Sequence, residues 1–310
     1  MKSVFRRLAI AGTLGLSAII PASAGPEHPV KPLLWKVEGP GLAEPSYLFG
    51  TMHLGDKAVV TLHPAAEEAF KKSAVLHAEV PLDMASQLAS LDVMMRGDGK
   101  TLDEVIGEKL AKRLDLELKK INPELDSKPF QPMKTWVMAY SLPYLPEQLA
   151  GIKPLDLVLW ERAEMEGKKT AGMQEIKDQV VGFSELSEEE QTQFLGSSLD
   201  YMENERRDGR DRMKEAIEVY LSGDAVKIEA LATEWMEELA GGKDGPIMKK
   251  LTQRILKDRD VIMADYIVAT LKKDPESVHF FAAGAGHYVG GDSVPARLVK
   301  NGYTVTPVEE

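Results

Sequence analysis

The sequence predicts an α/β protein whose sheet is built from N- and C-terminal strands, with a largely helical middle insertion. Three observations predict it. Short apolar runs of strand length lie near the start, at residues 33–37, 46–50 and 74–80, and near the end, at 277–283 and 303–308. Residues 64–72 between the second and third runs have helical character, which suggests a βαβ unit. The long stretch between the two sets repeats apolar residues at three- and four-residue spacing.

The elements follow in order. Residues 1–24 read as a secretory signal peptide: Lys2, Arg6 and Arg7 are a basic start, residues 8–20 a short apolar stretch, and Ala22-Ser23-Ala24 a small-residue cleavage site. The apolar stretch is short for a membrane span, which needs about 20 residues. The expected mature chain is a single domain over residues 25–310, periplasmic or secreted, with no membrane attachment after cleavage. Two strands flank the Gly-Pro-Gly turn at Gly39 to Gly41. Pro64 suits the first turn of a helix that leads to the third strand.

The helical insertion covers about residues 84–270. Helices are expected at 84–95, 101–120, 132–141 and 154–166, with a short strand at 168–172. Ser187 with Glu190 forms a capping box. Long charged helices follow at 192–221 and 224–239, then a Gly-rich break at 241–246, then a helix at 247–272. A short helix at 294–300 and a last strand close the chain.

Composition narrows the function. The 310 residues include no cysteine, which excludes disulfides, cysteine nucleophiles, thiolate zinc sites and iron–sulfur ligation. A formal charge of −11 is poorly suited to nucleic acid, because phosphate binding needs clustered Lys and Arg.

Two segments of the same form carry the chemistry. Gly50-Thr51-Met52-His53 and Gly284-Ala285-Gly286-His287 each end an apolar strand in Gly-x-x-His. Ligands of open α/β sheets bind beyond the carboxyl ends of strands, so two such histidines can converge on one ion. Glu79 ends another apolar strand, where a carboxylate is costly unless it is paired or bound to a cation. Two imidazoles and one carboxylate form a common hydrolytic metal set. The other histidines rank lower. His63 precedes Pro64 and reads as a helix cap, His279 reads as core, and His77 shares a strand face with Glu79 as an outer partner or core residue. Gly284, Gly286 and Gly290 depart from the dinucleotide spacing, and only one strand follows them.

These residues resemble the TraB/PrgY/GumN family, which includes the Tiki metalloproteases. The resemblance runs from about Leu33 to Val308. It rests on Leu34-Trp35-Lys36-Val37 leading to Gly50-Thr51-Met52-His53, on Glu79, on Met133 to Trp136, on Gly151 to Asp156 with Arg162, on Ala171 to Glu175, on Arg259-Asp260, and on Gly284 to His287. Lys153 stands at the family's usual Asp, Glu175 is displaced by one position, and Asp260 stands where Asn is usual. The resemblance implies an erythromycin esterase/ChaN-like core and a divalent-metal hydrolase acting on peptide bonds. His53, Glu79 and His287 carry over as the candidate metal site, for Mn, Co or Zn, and Arg259 as a charged site residue beside it.

The mechanism expected is hydrolysis by metal-activated water, with Glu79 as ligand or general base and Arg259 as oxyanion stabiliser. Glu175 is a weaker candidate that also fits a carboxylate at a helix N-terminus. The substrate is a peptide or small molecule. Two other functions fit the sequence: a metal-free ester hydrolase with His and Glu as acid and base, and a non-catalytic protein that sequesters an exported ligand.

Overall fold

Strands β1 (Leu34–Glu38), β2 (Ser46–Thr51), β3 (Val75–Ala78), β4 (Lys169–Gly172), β5 (His279–Gly284) and β6 (Thr304–Pro307) form one sheet, in the order β4-β3-β5-β2-β1-β6. The computed structural model describes residues 26–242 and 245–309, so the leader expected at 1–24 lies outside the described residues. Strand β5 pairs in parallel with both β2 and β3, and β4 continues the parallel set beyond β3. Strand β1 runs antiparallel to β2 and to β6. The two ends of the chain thus meet in the middle of the sheet, where Thr51 pairs with Gly284.

The helices are, in chain order, α1 (Lys57–Val60), α2 (Pro64–Lys72), α3 (Met84–Met94), α4 (Leu102–Ile121), α5 (Thr135–Ser141), α6 (Leu145–Leu149), α7 (Leu155–Met165), α8 (Ile176–Ser184), α9 (Glu188–Asp208), α10 (Arg212–Ser222), α11 (Ala225–Leu239), α12 (Pro246–Leu251), α13 (Asp258–Lys273) and α14 (Val294–Lys300). His63 caps α2, its side chain accepting from the Ala65 N–H, and the Ser187–Glu190 capping box opens α9. Two expected helices are each divided. The run expected at 192–221 ends at Gly209, which takes φ 65°, a left-handed conformation that glycine reaches without side-chain strain, and restarts after Asp211. The run expected at 247–272 contains a π-helical stretch, Thr252–Lys257, between α12 and α13. Such stretches recur at functional sites.

Both faces of the sheet are covered. Leu34, Phe49, Leu76 and Phe280 pack with Phe70 of α2, Leu155 and Leu159 of α7 and Tyr220 of α10. Val37, Leu48 and Phe281 pack with Met263, Ile267 and Leu271 of α13 and Leu298 of α14. A third cluster joins helices alone, around Leu114, Trp136, Phe183, Phe194 and Leu251. Each fully buried side chain of this size contributes about 1.5–3 kcal/mol. The sheet and its two layers fix the carboxyl ends of β2, β5 and β3 side by side, where the candidate site lies.

Candidate functional site

Glu79 follows the last residue of β3 directly and is buried. It is not an isolated carboxylate. Its Oε2 is paired with Arg259 Nη2, and its Oε1 accepts the Gly284 N–H at 2.6 Å. Burial alone would raise its pKa, but Arg259, His53, His287 and the Gly284 N–H outweigh burial and hold it well below the usual carboxylate range. Arg259 is buried too. Its Nε donates to Gln174 Oε1 at 3.2 Å, and Nη1 to the carbonyl of Ile255, in the π-helical stretch, at 3.4 Å.

His53 stands two residues beyond β2. Its Nε2 lies 3.6 Å from Glu79 Oε1, and its Nδ1 is 2.9 Å from Asp156 Oδ2. Asp156 sits in the first turn of α7, where the helix dipole favours a carboxylate, and also accepts from the Thr51 hydroxyl at 2.5 Å. The Asp156 charge raises the His53 pKa to about 9, Glu79 adds to the shift and Arg259 opposes it. With 48% of its side chain exposed, His53 has part of that field screened by solvent.

His287 ends a short 3₁₀ turn after β5 and is buried. Its Nδ1 meets Asp260 Oδ1 at 2.7 Å. Burial pushes the Asp260 carboxyl up, and His287 pulls against it. Both site histidines therefore have Nδ1 held by a carboxylate, the arrangement that orients metal-ligating imidazoles and leaves Nε2 free. Glycine at 284 keeps the space between the groups open: a Cβ there would stand 3.2 Å from both Glu79 Oε1 and His53 Nε2.

The donors suit a divalent cation in kind: two carboxylate-oriented imidazoles and a carboxylate kept ionised. Among the described residues, no three His, Asp or Glu side chains converge closely enough to hold an ion as they stand.

His77 does not join Glu79. The strand ends at Ala78, and His77 Nε2 instead meets His279 Nδ1 at 2.9 Å in the core, with Nδ1 3.1 Å from the Tyr266 hydroxyl. Glu175 is exposed, caps α8 and pairs with Lys177 at 2.7 Å, outside the site. Its neighbour Gln174 is the residue that touches Arg259. Asp156, Gln174 and Thr51 were not expected as site residues. The one available signal was Asp156 in the first turn of a helix that starts after Pro154.

Comparison with known proteins follows the same line. The model of the TraB/PrgY/gumN family matches residues 33–307. The chain is 25% identical over 317 residues to a protein named metalloprotease TIKI1 from Danio rerio, covering 90% of this chain and 64% of that protein. It is 25% identical over 320 residues to metalloprotease TIKI2 from Danio rerio, covering 89% of this chain and 61% of that one. It is 24% identical over 299 residues to metalloprotease TIKI1 from Homo sapiens, covering 84% and 59%. The chain thus spans less than two thirds of the length of these relatives. No solved structure matches it.

Proposed function

The chain belongs to the TraB/PrgY/gumN family, and from that premise we propose that it is an exported, metal-dependent hydrolase that cleaves peptide bonds. One observation carries the reading: His53 and His287 leave neighbouring parallel strands beside the ionised Glu79, each with Nδ1 held by a carboxylate. The name metalloprotease borne by the relatives supports it. The signal-peptide pattern of residues 1–24 supports export, and no helix among the described residues is long and apolar enough to cross a membrane.

His53, His287 and Glu79 would hold a divalent ion, Mn, Co or Zn. Bound there, the ion would supply a water of lowered pKa and a Lewis acid for the scissile carbonyl. Asp156 and Asp260 keep the Nδ1 protons in place and present Nε2 of each imidazole. Glu79 stays ionised and can take a proton at Oε1, or serve as a ligand through it. Arg259 brings a fixed positive charge beside Glu79, where it would stabilise negative charge developing on a peptide carbonyl oxygen.

Titration calorimetry with Mn, Co and Zn tests the reading, alongside turnover of a fluorogenic peptide library. Wild type should bind one ion, and His53→Ala and His287→Ala should each lose most of the affinity, with the double variant losing little more. Bound metal should also raise the melting temperature with concentration. If either single variant binds as tightly as wild type, the metal-hydrolase reading fails. Metal binding without turnover of any peptide would leave a non-catalytic role, holding an exported peptide, in its place.

A further inference from the structure

A groove of about 820 Å³ opens directly beside the candidate site. One end is formed by Gln174, whose N–H donates to the Glu79 carbonyl at 3.0 Å and whose Oε1 holds Arg259. Pro81, two residues past Glu79, lines the same end. One wall comes from Ala85, Ala89 and Val93 of α3, the other from Ile262 of α13. On helix α3, Val93 packs against the helical cluster, whereas Ala85 and Ala89 are exposed toward the groove. At the rim, Lys177 pairs with Glu175 at 2.7 Å, and the Asp178 carboxylate, accepting the Glu175 N–H at 3.2 Å, disfavours acidic side chains. The surface is thus suited to uncharged, aliphatic groups.

One polar feature points to what lies along it, the free edge of β4. The N–H groups of Lys169 and Met173 bond back to Ala74 and Ala78, so the alternation of a strand turns the backbone of Thr170 and Gly172 outward, and Gly172 lines the groove. An open edge of this kind templates the pairing of another extended chain.

We propose that this groove is the substrate cleft of the candidate site, and that it takes an extended peptide with uncharged aliphatic side chains, paired along the free edge of β4 at Gly172. The proposal deepens the hydrolase reading and takes its peptide class from it.

The test is fluorescence anisotropy with a fluorescein-labelled hexapeptide carrying two central leucines, and a matched peptide carrying two central glutamates. It is run on wild type and on His53→Ala, which removes turnover from the measurement. The leucine peptide should bind both proteins at least tenfold more tightly than the glutamate peptide. Ala89→Trp, at an exposed helix position where added bulk does not threaten the fold, should weaken leucine-peptide binding at least tenfold. Leu116→Trp, exposed on α4 and outside the groove, should leave it unchanged. Absence of binding to the leucine peptide, equal binding of the two peptides, or binding indifferent to Ala89→Trp overturns the proposal. Binding that follows this pattern without cleavage by wild type would keep the cleft and remove the hydrolase reading.

Discussion

His53 Nδ1 and Asp156 Oδ2 lie 2.9 Å apart across 103 residues of sequence, and this contact sets the charge of the exposed site histidine. The imidazole pKa is raised to about 9, first by the Asp156 charge. A histidine raised in this way gains its stabilisation fully below its unfolded pKa near 6.5 and loses it as pH rises through about 9. Asp156→Asn keeps the size and removes the charge. In the metal-free variant, the His53 ring titration followed by nuclear magnetic resonance should move down toward 6.5. A midpoint unchanged by the substitution would sever Asp156 from the control of His53.

An unpaired Glu79 would be a costly buried carboxylate, and its removal would leave the metal-free fold unaffected or improved. The ion pair with buried Arg259 reverses that expectation. Glu79→Gln leaves the guanidinium buried without its counter-charge, which costs about 3–5 kcal/mol. Arg259→Met should cost a similar amount for the opposite reason. The double variant Glu79→Gln with Arg259→Met should be markedly more stable than the sum of the two losses implies. Urea unfolding of the four proteins measures this directly, and additive losses would mean that the pair is not coupled.

How much of this was legible follows from which contacts are local. The juxtaposition of β2 and β5 could be read from two matched Gly-x-x-His turns, since a turn motif lies within a few residues of sequence. Helix caps at His63 and Ser187 were legible for the same reason. The partners of the site residues were not. Arg259 meets Glu79 across 180 residues, and Asp156 meets His53 across 103, separations at which no local pattern exists. Strand alternation put His77 on the face of Glu79, and both meet α13, through Tyr266 and Arg259; of the two places expected for His77 it takes the core, against His279.

His77 yields a prediction of the opposite sign to His53. Burial, and then the neighbouring His279, push its pKa down to about 3. The unfolded chain therefore takes up a proton at His77 between about 6.5 and 3 that the folded protein refuses. The stability linked to His77 is complete above 6.5 and is lost as pH falls toward 3, at up to about 1.4 kcal/mol per pH unit. His77→Asn should lower stability at neutral pH but flatten its decline between pH 6.5 and 4. Denaturant unfolding across that range gives the two slopes, and parallel slopes would show that His77 titrates alike in both states.

Gly284→Ala separates the site from the fold. Gly284 has φ −49° and ψ 132°, which alanine adopts without strain, so the backbone does not require glycine. The close approach does. The added methyl would stand 3.2 Å from Glu79 Oε1 and 3.2 Å from His53 Nε2, tighter than ordinary van der Waals contact. Glu79 is pinned by Arg259 and by the Gly284 N–H itself, whereas His53 is half exposed, so His53 is the group that gives way. The expected result is a melting temperature within a few degrees of wild type, because surface-side displacement of one side chain costs little. Affinity for Mn, Co or Zn should fall at least tenfold, because the imidazole is moved away from the carboxylate that shares the ion. The His53 ring titration should also shift, since its distances to Glu79 and Asp156 both change. A Gly284→Ala protein that binds metal as wild type does, with an unmoved His53 titration, would mean that the space beside Gly284 is not where the ion sits.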